Sequence, residues 1–120
     1  MWVFTEDGFF STVVDKDDPN LLAVRTRDSA SLLAFCADRK IDPADLSAVE
    51  MTPDRDYPMR VRVDKYEWAA YLAEYVNRMK YDDFKGHCMK SGWPRKWINR
   101  LGDIWFLMAT QWHVNSQDDR

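Results

Sequence analysis

At 120 residues, 46% hydrophobic and 31% charged, with no apolar run near the roughly 20 residues that span a bilayer, the chain reads as one soluble cytoplasmic domain with a single core. A formal charge of −3 supplies no global field for nucleic acid or an acidic membrane, so any charge-driven binding must be local. Two distant cysteines make no disulfide framework, and no basic-then-apolar leader follows Met1.

The first elements read as a β-meander. Trp2-Val3-Phe4 and the β-branched and aromatic run Phe9 to Val14 flank Glu6-Asp7-Gly8, where glycine tolerates positive φ, so the chain opens on a hairpin. After the turn Asp15 to Asn20, the segment Leu21 to Arg27 alternates, with Leu22, Val24 and Thr26 on one face and Ala23, Arg25 and Arg27 on the other. Asp28 or Ser29 then caps a helix running to about Arg39, its buried side formed by Leu32, Leu33, Phe35 and Cys36. Asp42-Pro43 starts a short helical turn, and Ser47 to Thr52 is a weak strand.

The stretch Tyr57 to Met79 organises the rest. Tyr57, Met59, Val61 and Val63 alternate with Pro58, Arg60 and Arg62 as a half-buried strand, and the period becomes helical at Asp64. Asp64 with Glu67 has the spacing of a capping box, and Trp68, Leu72, Tyr75, Val76 and Met79 follow as an apolar face. These elements predict an α+β fold with an antiparallel-rich sheet of about five strands. Its parts are the N-terminal meander and a ferredoxin-like βαββα unit, the hairpin supplying the sixth element as in a circular permutation.

Beyond Lys80, a short segment carrying Phe84 and Cys88 ends near Ser91-Gly92, and Pro94 opens a C-terminal helix. Trp97, Leu101, Ile104, Trp105, Met108 and Trp112 form its apolar stripe, and Gly102 weakens it by about 1 kcal/mol relative to Ala. The domain is expected to occupy 1–112, with 113–120 as a polar, frayed tail.

Together these motifs resemble a family of small bacterial and phage-encoded proteins of uncharacterised function. The resemblance rests on Met1-Trp2-Val3-Phe4, Phe9-Phe10-Ser11-Thr12-Val13, Leu22-Ala23-Val24-Arg25-Thr26-Arg27, Asp56-Tyr57-Pro58-Met59-Arg60, Tyr81-Asp82-Asp83-Phe84-Lys85 and Trp105-Phe106-Leu107-Met108. Gly92-Trp93-Pro94 and the polar end depart from the family pattern. What the resemblance implies is a compact α+β domain, with no activity attached.

Catalytic and metal signals are weak. Cys36, His87, Cys88 and His113 lack the paired spacing of a zinc site, and Asp15, Asp17 and Asp18 lack the glycine and bidentate Glu of an EF-hand loop. Adjacent His87 and Cys88 point about 100° apart on a helix and cannot pair in line, and the isolated glycines build no phosphate loop. No catalytic residue, metal or cofactor is therefore assigned.

Two basic clusters remain as candidate binding residues. Alternation places Arg25, Arg27, Arg60 and Arg62 on one sheet face, where aromatics of the Trp2 or Phe9 strand can join them, an arrangement suited to stacking and neutralising single-stranded RNA or DNA. The ordinary alternative is a solvated face paired with Glu50 or a nearby Asp. Arg95 and Lys96, with Lys85, Lys90 and Arg100, surround Trp93 and Trp97; Trp93, between Gly92 and Pro94, is expected to be the exposed anchor for a protein partner. The expected function is a non-enzymatic protein-interaction or regulatory protein, such as a phage-encoded inhibitor of a host or defence protein. A single-stranded nucleic-acid binder stands second, and an enzyme of unrecognised chemistry third.

Overall fold

The computed structural model describes residues 1–111, so Trp112 of the expected C-terminal stripe and the expected frayed tail, 113–120, lie outside the described residues. The chain divides into two compact units, Met1–Met79 and the part from Lys80 onward.

In the first unit, strands β1 (Trp2–Thr5), β2 (Gly8–Val14), β3 (Leu21–Thr26), β4 (Val49–Met51) and β5 (Met59–Asp64) form one sheet in the order β1-β2-β3-β5-β4, every neighbouring pair antiparallel. Helix α1 (Ser29–Arg39) connects β3 to β4, and α2 (Lys65–Arg78) follows β5. The run β2-β3-β5-β4 has the strand order of a ferredoxin-like sheet whose last strand precedes the others in sequence, and β1 extends it by one. The expected meander and permuted βαββα unit are both present.

One face of the sheet and the two helices enclose the core. Phe10, Val24, Val49, Val61 and Val63 meet Leu32, Phe35 and Cys36 of α1 and Trp68 and Tyr71 of α2. Phe35 is the aromatic hub, its ring centroid 6.0 Å from Phe10, 5.8 Å from Trp68 and 5.1 Å from Tyr71. Such tilted and edge-on pairs add about 0.5–1.5 kcal/mol each beyond the area they bury.

The helix ends follow the local rules, with two departures. Asp28 is the N-cap of α1, accepting from the Ser31 amide at 2.8 Å, and Asp64 caps α2 through the Glu67 amide at 2.9 Å. The capping box is only half formed, because the Glu67 carboxylate accepts from Arg39 Nε at 2.8 Å instead of reaching back, which ties α2 to α1. Between Asp42 and Ala48 the chain makes turns and not the expected helical one. The Asp42 and Asp45 side chains capture the Ala44 and Ser47 amides and compete with helix formation.

Both helices bury a different edge from the one that periodicity suggests. On α2 the inward stripe is Trp68, Tyr71 and Tyr75, Leu72 is half-buried, and Val76 and Met79 are exposed; on α1 Ser31 takes the place of the exposed Leu33. Hydroxyl chemistry decides this. Tyr71 donates to Asp7 Oδ2 at 2.7 Å and lies 2.7 Å from Thr5 Oγ1, and Tyr75 Oη accepts from the Glu6 amide at 2.9 Å, so α2 turns its tyrosines toward the β1–β2 hairpin. Burial pushes the Tyr71 phenol well above its ordinary value, and Asp7 pushes the same way. Ser31 packs against Gly8, where φ is +139° and an added Cβ would meet Ser31 Oγ.

The second unit holds α3 (Phe84–Lys90) and α4 (Arg95–Gln111). Asp83 caps α3, whose end is a Schellman motif: Trp93 N donates to Cys88 O at 3.1 Å and Gly92 N to Met89 O at 3.2 Å, with Gly92 at φ 86°. This closure folds Trp93 back over its own helix, 6.0 Å from Phe84 and 5.5 Å from Trp97 between ring centroids. On α4 only Ile98 is buried, with Trp97 and Leu101 half-buried, whereas Ile104, Trp105 and Met108 of the expected stripe are exposed. A Cβ at Gly102 would meet nothing closer than Lys85 Nζ at 3.9 Å, so Gly102→Ala should stabilise the protein by about 0.5–1 kcal/mol in chemical denaturation.

Candidate functional site

The sheet's second face carries the candidate site, and the strand register builds it. Trp2 pairs with Ser11, Ser11 with Arg25, Arg25 with Arg60 and Arg60 with Glu50, so these five side chains form one row across all five strands. Ala23 and Arg62 pair in the neighbouring row on one side, and Phe4 and Phe9 on the other. Period-two alternation thus brings Arg25, Arg60 and Arg62 to one face, as their spacing predicts.

The four sheet arginines have different tasks. Arg62 is structural: Nε donates to Asp15 Oδ1 at 2.9 Å and Nη2 to Glu50 Oε1 at 2.8 Å. Asp15 is buried, and its other oxygen accepts from the Asp17 and Asp18 amides at 3.1 Å each. Its carboxyl titrates below the ordinary range because the Arg62 and amide hydrogen bonds and the Arg62 charge outweigh burial, which alone would raise it. Arg25 donates to Ser11 O at 3.2 Å and Ser11 Oγ at 2.7 Å, and its guanidinium carbon lies 4.5 Å from the centre of the Tyr57 ring; Arg27 lies 4.9 Å from the same ring. Arg60 is only 9% exposed, yet among the described residues it forms no ion pair and its Nε has no hydrogen-bond partner.

Tyr57 is placed differently from its expected strand position beside Met59. Strand β5 begins only at Met59, and Thr52 closes the preceding loop, its amide donating to Pro58 O at 2.6 Å and its hydroxyl to Tyr57 O at 2.8 Å. The Tyr57 ring turns over the arginine face and is buried there, 6.4 Å from Phe9. Burial alone would raise its phenol, but hydrogen bonding to Ser11 and Arg27 and the charges of Arg27 and Arg25 bring it below the ordinary value.

Beneath this loop is a cavity of about 270 Å³ whose lining includes Val13, Ala23, Arg25, Arg55, Tyr57 and Arg60. Arg55 escapes a periodicity analysis because it is a loop residue, and only its place in the charged run Asp54-Arg55-Asp56 marks it. Burial lowers the Arg60 guanidinium from its ordinary value, and Arg55, Arg25 and Arg62 push the same way against Glu50. Like charges directly opposite one another on a sheet are destabilising, so the Arg25–Arg60 pair is a local cost to the fold.

The second basic cluster is more open. Lys85, Arg95 and Arg100 line a depression of about 710 Å³ with Asp103, and Arg100 Nη1 lies 3.3 Å from Asp103 Oδ2. Lys96 and Lys90 are exposed, while Trp93, expected to be the exposed anchor, is half-buried with Trp97 because the Schellman closure draws it inward. The exposed tryptophans among the described residues are Trp2, at 75%, and Trp105, at 70%.

Among the described residues no group of three or more His, Cys, Asp or Glu side chains could hold a metal ion, and no helix is long and apolar enough to cross a membrane. In comparisons with known proteins the chain matches no family model, no curated protein and no solved structure.

Proposed function

We propose that the protein is a non-enzymatic recognition module that binds a protein partner through the arginine-bearing face of its sheet. The observation that carries this reading is the single row from exposed Trp2 to buried Arg60, which has no ion pair among the described residues, because Trp and Arg are the side chains that dominate binding energy at protein interfaces. Trp2 offers an anchor of large area, and the arginine cavity a seat for one negatively charged group of the partner. An inhibitor of a host or defence protein is the form of this reading that the family resemblance suggests, and two buried free cysteines suit a reducing cytoplasm.

Single-stranded nucleic acid is the second reading, favoured by exposed Trp2 and Phe4 standing beside the arginines. It ranks lower because the cations do not form a continuous track: Arg62 is neutralised by Asp15 and Glu50, and Asp56 lines the cavity. Capture from nuclease-treated lysate with the native chain and with Trp2→Ala separates the two. A partner protein retained by the native chain and lost with Trp2→Ala is the expected result. Binding that vanishes on nuclease treatment, and whose affinity for oligonucleotides falls with a log-log salt slope of about −0.7 per phosphate contact, would replace it with the second reading.

A further inference from the structure

The geometry points to the Arg25–Arg55–Arg60 cavity as a binding site for a phosphate dianion, either free or as the phosphoryl group of a monoester. This rests on reading the arginine-bearing sheet face as a recognition surface, but not on the partner being a protein. Arg60 is the decisive residue. It is nine-tenths buried, faces the cavity, and has an Nε without a partner among the described residues. A buried cation is ordinarily paired, and among the described residues its cross-strand neighbours form no ion pair with it: Arg25 carries the same sign, and Glu50 places its Oε1 on Arg62. Of the two carboxylates that line the cavity, Asp15 is committed to Arg62 and to the turn amides, and Asp56 forms no ion pair with Arg60, so the cations Lys16, Arg25, Arg55 and Arg60 outnumber them. A third guanidinium, Arg55, stands on the exposed loop over the same space.

The ligand class follows from this donor set. Guanidinium groups present forked donors that suit the oxygens of carboxylate and phosphate. A carboxylate, with two oxygens and one charge, satisfies a single fork, whereas a phosphate dianion offers more oxygens and the second charge that several converging guanidinium groups call for. At about 270 Å³ the cavity lies below the roughly 300–1,000 Å³ of sites that enclose drug-sized ligands, so it takes the phosphoryl group and leaves any organic remainder outside.

The test is thermal unfolding of the full chain in phosphate-free buffer, with sodium phosphate, methyl phosphate or acetate titrated in at constant ionic strength. Phosphate at ten times its dissociation constant should raise the midpoint on the order of 5–10 °C, and both Arg60→Met and Arg55→Ala should abolish most of that shift. Arg55 is exposed on a loop, so its variant reports even if Arg60→Met folds poorly. A larger shift with methyl phosphate than with phosphate identifies a monoester as the source, and the reverse identifies the free anion; either supports the site. An equal shift with acetate, a shift that survives both substitutions, or no shift would overturn it. Loss of partner capture while the phosphate shift persists removes the protein-partner reading and leaves this one standing.

Discussion

Arg62→Met should destabilise the protein by about 3–5 kcal/mol, because it strands the Asp15 carboxylate, whose side chain is only 3% exposed, without its counter-charge. The pH dependence has a definite sign. Asp15 titrates below the ordinary carboxylate value of about 3.9 in the folded protein, so its contribution is fully present above that pH and is lost as pH falls through the folded value. In Arg62→Met only the Asp17 and Asp18 amides are left to oppose burial, so the Asp15 carboxyl rises from its native value and acid unfolding should begin at higher pH than in the native chain. Urea titrations at neutral pH and at pH 4 check both parts. A loss below about 1 kcal/mol at neutral pH would mean that the Asp15–Arg62–Glu50 triad is a surface pairing and not part of the frame that supports the site.

Trp68→Ala should cost about 3–5 kcal/mol, since the ring is buried among Phe10, Phe35 and Tyr71. Leu72→Ala, at a half-buried position, should cost less, and Glu74→Ala should lose only an exposed pair with Arg39, worth under about 1 kcal/mol. Chemical denaturation ranks the three, and a larger loss at Leu72 than at Trp68 would place the buried stripe of α2 on the wrong side of the helix.

Alternation made the sheet legible in the amino-acid sequence. Val24 and Val61 fall on the core face and Arg25 and Arg60 on the other because side chains alternate strictly along a strand, whatever the strand order. The strand order was not legible: βαββα connectivity narrows the arrangements, but where the hairpin pairs is decided by long-range register that no local pattern carries. Positions decided by single polar contacts were not legible. Val76 and Tyr71 are both apolar enough for a helical stripe, and the choice between them is made by Thr5 and Asp7, more than sixty residues away in sequence. Trp93 stands in a glycine–proline interruption that suggests exposure, yet it is the residue that folds back in a Schellman motif.

The site was legible only in part, for the same reason. Periodicity puts the sheet arginines on one face but cannot distribute the carboxylates among them. Arg62 takes Asp15 and Glu50, leaving Arg60, two residues earlier on the same strand, with neither. Tyr57 and Arg55 reach the face from a loop, where no period applies.

An Arg60 kept for a ligand and not for the fold is tested most directly by the denaturation midpoint of Arg60→Met beside that of the native chain in phosphate-free buffer. Methionine keeps the apolar stem and removes a buried charge opposed by Arg25 and Arg55, so the variant should match the native chain within about 0.5 kcal/mol or exceed it. A loss of about 3 kcal/mol or more, comparable to Arg62→Met, would instead make Arg60 part of the scaffold.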